Sequence, residues 1–144
     1  MTKTRTNPTL SAFADLVGKW TMESPQYPGF RGRSDIAWIE NGDYLLVRDE
    51  VDAGEFPAGT WIVSGDDSSE ECTSLYHDSR GVSRVYQMSL VGGVWKIWRL
   101  SPGFNQRFVG RLGRGSKTIK GHWDTSGDGT QWEKDFDLVY RRAE

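Results

Sequence analysis

The chain is poor in the residues that anchor several common kinds of function. It carries one cysteine, Cys72, and two histidines, His77 and His122, among 144 residues. A lone cysteine excludes an intrachain disulfide and makes a reducing, cytoplasmic location the expectation. Cys72 itself reads as a small strand residue. The two histidines and the cysteine lack ligand spacing, so no metal site is expected. There is no run of about 18 apolar residues, which leaves no membrane-spanning helix to expect. The N-terminal MTKTRTNPTL has no apolar segment of the kind a signal peptide needs. Charge of one sign is also missing: 18 Lys and Arg face 20 Asp and Glu, and the basic residues are scattered. That pattern offers no electrostatic footprint for nucleic acid. Ser34 and Ser89 sit in no nucleophile motif. Gly113-Arg114-Gly115 lacks the strand–loop–helix setting of a phosphate loop and reads as a turn.

Aromatic residues and glycine are abundant: seven Trp, five Tyr, six Phe and 17 Gly, against five Pro. Short alternating segments separated by turn residues recur along the chain, about ten in all. They run from Val17–Glu23 through Phe30–Glu40, a partner hairpin strand after Asn41-Gly42, Thr60–Gly65 and three strands between Thr73 and Arg99. Gln106–Leu112, Thr118–Thr125 and Trp132–Arg142 complete the set. This is the pattern of an antiparallel sandwich or barrel, and closure into a barrel removes the edges of so long a sheet. Thr9–Leu16 reads as a short helix with Phe13 and Leu16 on its apolar side. Met1–Pro8 is expected to be a flexible tail, residues 9–144 one domain, and Asp66–Glu71 a solvated turn.

Hairpin parity brings polar groups into the apolar face. The Asn41-Gly42 turn pairs Trp38 with Leu45, Ile36 with Val47 and Ser34 with Asp49. The Gly92-Gly93 turn sets Leu90 opposite Trp95, Met88 opposite Ile97 and Tyr86 opposite Arg99. A two-residue turn at Arg80-Gly81 would set His77 opposite Arg84, Leu75 opposite Tyr86 and Thr73 opposite Met88. A three-residue turn at Ser79–Gly81 would instead move His77 outside and leave Arg84, Tyr86 and Arg99 together. Cross-strand partners share a face. So Arg84, Tyr86 and Arg99, with His77 and Asp49 near them, fall among Met88, Trp95, Ile97 and Trp38. Arginine is rarely buried without a partner. Either the arginines meet Asp49 or another acid in a structural network, or they line a cavity and await an anion. On the outer face, Tyr76, Val85, Trp98 and Leu100 form an apolar strip. It is covered by the N-terminal helix, or it joins two copies in a homodimer.

Gly18-Lys19-Trp20 opens the first strand and Tyr140-Arg141-Arg142 closes the last. Together they resemble the calycin signature, in which a terminal arginine crosses the tryptophan at the closed end of an up-and-down barrel. Parity favours Arg142 over Arg141 for this place. Through LVGKW, DSRGVSRVYQMSL, GGVWKIWR, PGFNQRF and DFDLVYRR the chain is also similar to an uncharacterised group of bacterial lipocalin-like proteins, which implies the fold and a cavity but no reaction. Nitrobindin-type haem barrels are related by architecture. They need an inward histidine near the end of the chain, which the last strand here lacks, while His122 falls on a polar face. No haem or other cofactor is therefore expected. Arg84-Val85-Tyr86 resembles the Arg-x-Tyr anion clamp of fatty-acid-binding barrels, although those carry it on the last strand.

These readings converge on a small organic ligand, acidic or strongly polar, bound inside the barrel. Arg84, Tyr86 and Arg99 would recognise it, and Trp38, Met88, Trp95 and Ile97 would form the walls. Two other classes of function use the same residues differently. A cofactor-independent isomerase, cyclase or lyase would move a proton with His77 or Asp49 and steady an oxyanion with the arginines. A protein-interaction module would use the outer strip over a filled barrel.

Overall fold

A computed structural model describes residues 8–52, 56–65, 69 and 71–143. A short helix α1 (Pro8–Ser11) runs into a 3-10 helix (Ala12–Leu16), and ten strands follow. They are β1 (Gly18–Ser24), β2 (Tyr27–Ile39), β3 (Tyr44–Val51), β4 (Gly59–Gly65), β5 (Cys72–Asp78), β6 (Ser83–Val91), β7 (Val94–Arg99), β8 (Asn105–Leu112), β9 (Thr118–Ser126) and β10 (Glu133–Arg142). Each strand pairs antiparallel with its neighbour in sequence, and β1 pairs with β10, so the sheet closes on itself. The expected all-β, ten-stranded antiparallel barrel is therefore present, and closure removes every free edge. The expected tail, apart from Pro8, and parts of the loops at Ala53–Ala58 and Asp66–Glu71 lie outside the described residues. No helix among the described residues is long and apolar enough to cross a membrane.

Alternation of side chains drives the strands. In β2, Phe30, Gly32, Ser34 and Ile36 are buried while Arg31, Arg33, Asp35 and Ala37 between them are exposed. The hairpin to β3 has the expected register, with Trp38↔Leu45, Ile36↔Val47 and Ser34↔Asp49. Asn41 and Gly42 both take positive φ in the turn, and the Asp43 amide donates to the Glu40 carbonyl at 3.1 Å. The β6–β7 hairpin also holds its expected pairs Leu90↔Trp95 and Met88↔Ile97. Tyr27–Gly29, expected as loop before Phe30, belongs to β2, which begins three residues early.

The N-terminal segment closes one end of the barrel. Leu10, Phe13 and Leu16 are fully buried. Their spacing of three sets them on one edge, and the expected helix over Thr9–Leu16 is a short α-helical turn that passes into a 3-10 helix. Trp20 lies against this plug and donates its indole N–H to the Leu16 carbonyl at 2.8 Å. Arg142 stacks over the Trp20 ring at 4.1 Å. Its guanidinium donates to the carbonyls of Val17 (2.7 Å), Asp15 (2.8 Å) and Ser116 (2.9 Å). Each guanidinium nitrogen of this half-buried cation thus donates to a carbonyl, without an acid. Gly18 has φ +139°, and a Cβ there would collide with Arg142 Nη1. The glycine of Gly-x-Trp is required because the arginine passes over it.

Candidate functional site

The plugged end and the open end divide the interior. Toward the open end a cavity of about 200 Å³ remains, lined in part by Asp49, Trp61, Arg84, Tyr86, Trp95 and Tyr140. Met88 and Ile97 lie on its wall, as expected, and Arg80, Gln106 and Asp135 also border it. A volume of that order sits below the roughly 300 Å³ at which drug-sized sites begin, so the occupant it suits is small. The barrel is not filled.

The wall is a chain of touching aromatic rings. Trp61 lies 4.6 Å from Tyr76 and 5.0 Å from Tyr86, Trp95 lies 5.3 Å from Phe108, and Trp95 lies 5.6 Å from Tyr140. Edge-to-face and tilted packing of this kind favours a stiff wall over a collapsible one. It keeps space open in an otherwise close-packed interior.

Asp49 is a half-buried carboxyl group on the cavity wall. It stands on β3 opposite Ser34 of β2. The Trp61 indole N–H donates to its Oδ2 at 3.2 Å, while Oδ1 is enclosed and has no hydrogen-bond partner. Burial pushes its carboxyl up to about 6, against the opposing pull of Ser34 and Trp61. Ser34 is near enough to favour the charged form without meeting hydrogen-bond geometry. The Tyr140 phenol is pushed well above its ordinary value, chiefly by burial and secondly by the charge of Asp49. Trp95 Nε1 is a further enclosed donor without a partner.

Tyr86, buried on the cavity wall, donates its hydroxyl to Gln106 Oε1 at 2.8 Å. Arg84 makes no ion pair among the described residues. Its guanidinium lies 5.4 Å from the centre of the Phe104 ring. The expected alternative, an Arg84–Asp49 structural pair, is absent. Arg80, unlike Arg84, is neutralised: it holds Asp78 at 2.6 Å.

Three expected site residues fall elsewhere. His77 is on the outer face, because β5 and β6 pair as His77↔Ser83 and Tyr76↔Arg84. The connecting turn has three residues, not two. The Asp78 amide donates to the Val82 carbonyl at 3.0 Å, and Gly81 takes φ +83°. The physical reason is Asp78, whose carboxylate accepts from the Arg80 amide (2.9 Å), the Arg80 guanidinium and the Tyr76 hydroxyl (2.7 Å). That arrangement needs the third loop residue, and it turns Tyr76 inward in place of His77. His77 is exposed, with Nδ1 2.8 Å from Ser83 Oγ. Arg99 leaves the β6–β7 ladder, which ends at Gln87↔Trp98, and pairs with Gln106 of β8 instead. It donates to the Phe104 carbonyl at 3.4 Å and borders an outer groove, not the cavity. Trp38 packs half-buried against the core without lining the cavity, which follows from its pairing with Leu45 near the plugged end. His122 is on the outer face beside Asp124, 3.6 Å away.

Sequence reasoning missed Trp61, Trp123 and Tyr140 as cavity walls and Arg80 as a mouth residue. Strand alternation carried the signal for the three aromatics, since each shares a face with core residues; nothing in the sequence distinguished wall from core. The outer strip is also altered by the register. Leu75, not Tyr76, lies beside Val85 on the outside. Leu75, Val85 and Leu100 are 47%, 53% and 72% exposed, so the N-terminal helix does not cover them.

No family model matches the chain, and no curated protein matches it. Among solved structures, the crystal structure of Rv2717c from M. tuberculosis is similar to it. The TM-score is 0.69 over 97% of this chain and 100% of that one, at 13% sequence identity. At that identity the likeness shows the fold alone.

Proposed function

We propose that the barrel binds a small organic molecule in its cavity, with an acidic or strongly polar group of that molecule at the mouth. The observation that carries this reading is Arg84. It borders the cavity as well as the outer groove, has no acid beside it among the described residues, and carries a planar fork of donors suited to a carboxylate. The calycin-like resemblance and a reducing, cytoplasmic setting accord with it. A second reading, a cofactor-independent isomerase, cyclase or lyase, now rests on Asp49. Its carboxyl titrates near 6, which suits proton transfer close to neutral pH, and turnover of a bound compound separates it from simple binding.

The test is calorimetric titration with 3-phenylpropanoate, an acid small enough for the cavity. Arg84→Met should weaken binding by on the order of 2 kcal/mol, the scale of a hydrogen bond to a charged partner. Arg99→Met, outside the cavity, should not. Equal binding by wild type and Arg84→Met, or no binding by wild type, overturns the reading.

A further inference from the structure

We infer that the inner end of the cavity is a site for an organic ammonium group, held by Asp49 among aromatic rings. The inference deepens the proposed function and rests on it, since it supposes a ligand in the same cavity.

Asp49 is a carboxyl group enclosed in the barrel without a cation. Among the described residues it takes part in no ion pair, and one indole N–H meets hydrogen-bond geometry with it; the Ser34 hydroxyl lies nearby, and Oδ1 has no partner that meets that geometry. A buried polar atom without a partner is costly and unusual in a native interior. The ion pairs along the barrel show that acids elsewhere are matched: Asp78 with Arg80, Asp124 with Arg107, Asp137 with Lys134. Asp49 has no such cation and borders open space.

The surroundings share its sign. Trp61, Tyr86, Trp95 and Tyr140 border the same space, and aromatic faces carry the negative part of the ring quadrupole, which attracts an ammonium group. Nothing at the inner end would attract an anion except the Trp95 indole N–H. That donor has nothing to offer an ammonium group, so it is left for an acceptor atom elsewhere on the ligand. The cavity also borders Arg84, which has no acid beside it among the described residues, whereas Arg80 is neutralised by Asp78. An amine would enter with its charged end inward, and one bearing an acid would leave that acid beside Arg84. The class this describes is a small amine, and with both ends used, an amino-acid-like zwitterion.

Protonation of Asp49 competes with the amine. The other ionisable groups facing the cavity are Tyr76, Tyr86 and Tyr140 inside, with Arg80, Arg84 and Asp135 at the mouth. The Tyr76 and Tyr140 phenols are pushed up by burial and stay neutral, and the arginines stay charged. Burial raises Asp135 as well, but it lies exposed at the mouth. Amine affinity should therefore fall as pH drops through about 6, toward tenfold per pH unit.

Calorimetric titration at pH 7.5 with phenethylamine, 2-phenylethanol and 3-phenylpropanoate tests this on wild type, Asp49→Asn and Arg84→Met. Phenethylamine should bind wild type more tightly than its neutral isostere. It should lose tenfold or more in Asp49→Asn and bind Arg84→Met as well as, or better than, wild type. Thermal unfolding of Asp49→Asn checks that it is folded. If phenethylamine binds no better than 2-phenylethanol, or is unaffected by Asp49→Asn, the ammonium site is refuted. Binding of 3-phenylpropanoate that depends on Arg84 would then leave the cavity reading standing. If none of the three probes binds wild type, both readings fall.

Discussion

Replacing Asp49 by asparagine should stabilise the protein, and should do so only where Asp49 is ionised. The unliganded fold keeps a carboxyl group in a place that resists its charge. Burial raises its titration from an ordinary value of 3.8 to about 6. For an acid, a raised value in the folded state means that the folded form holds its proton more tightly than the unfolded form. The contribution of Asp49 to stability is therefore most favourable below about pH 4, declines as pH rises to about 6, and is flat and unfavourable above that. A shift of about two units corresponds to about 3 kcal/mol, at 1.4 kcal/mol per unit. This is the upper end, because solvent in the cavity relaxes part of the penalty. Asparagine keeps the size and the acceptor for Trp61 but carries no charge. Asp49→Asn should therefore raise the unfolding free energy by up to about 3 kcal/mol at pH 8 and by little at pH 4. For a chain of this size that amounts to roughly 10 °C in melting temperature. The assay is the difference in unfolding free energy between variant and wild type, by denaturant titration at several pH values. The difference is needed because other acids act in the opposite sense. Asp78 is held well below the usual carboxylate range by Arg80, so its contribution is present above its unfolded value and lost on acidification. A variant–wild-type difference that does not change with pH, or an Asp49→Asn protein less stable than wild type at pH 8, refutes the reasoning.

The plugged end predicts that Trp20→Ala costs roughly 3 kcal/mol or more, because it leaves a large cavity and strips Arg142 of its stacking partner; a denaturation midpoint close to wild type would rule this out. Gly18→Ala should be destabilising by at least 1 kcal/mol, from a positive φ and a collision with Arg142, and pairing it with Arg142→Met should recover the part due to the collision. Asp78→Asn should cost about 2 kcal/mol by weakening a charged acceptor of Arg80 and Tyr76; a neutral effect would mean that Asp78 does not set the turn. The expected homodimer through the strip of Leu75, Val85, Trp98 and Leu100 predicts concentration-dependent sedimentation that Trp98→Glu abolishes, and a monomer at every concentration would refute it.

Much of the barrel was legible because its determinants are local. Period-two alternation says which residues share a face, and Asn41-Gly42 and Gly92-Gly93 accept the left-handed conformations that tight turns need, so two hairpins could be registered residue by residue. Arg142 over Trp20 was anticipated through the resemblance of Gly18-Lys19-Trp20 and Tyr140-Arg141-Arg142 to the calycin signature, with the parity of the last strand choosing Arg142 over Arg141. The β5–β6 hairpin was not legible in the same way. Asp78-Ser79-Arg80-Gly81 suits a two-residue and a three-residue turn. The choice falls to a carboxylate that gathers Arg80 and Tyr76, and those contacts exist only once the strands are paired. A shift of one residue then put Tyr76 in place of His77 on the inner face, and Leu75 in place of Tyr76 on the outer one.

The candidate site divides along the same line. Sequence alone determined that arginine, tyrosine and aspartate would face inward among aromatic residues, since facing is a property of each strand taken singly. Only the tertiary structure decided which of them meet. Arg99 was lost to the site when its strand turned to β8, Trp38 sat near the plugged end, and Asp49 and Arg84, both predicted to face inward, border one cavity without touching. The reason is closure: the positions of strands far apart in sequence follow from how the whole sheet curls onto itself and from which large side chains fill its middle. No short stretch of the chain encodes that quantity.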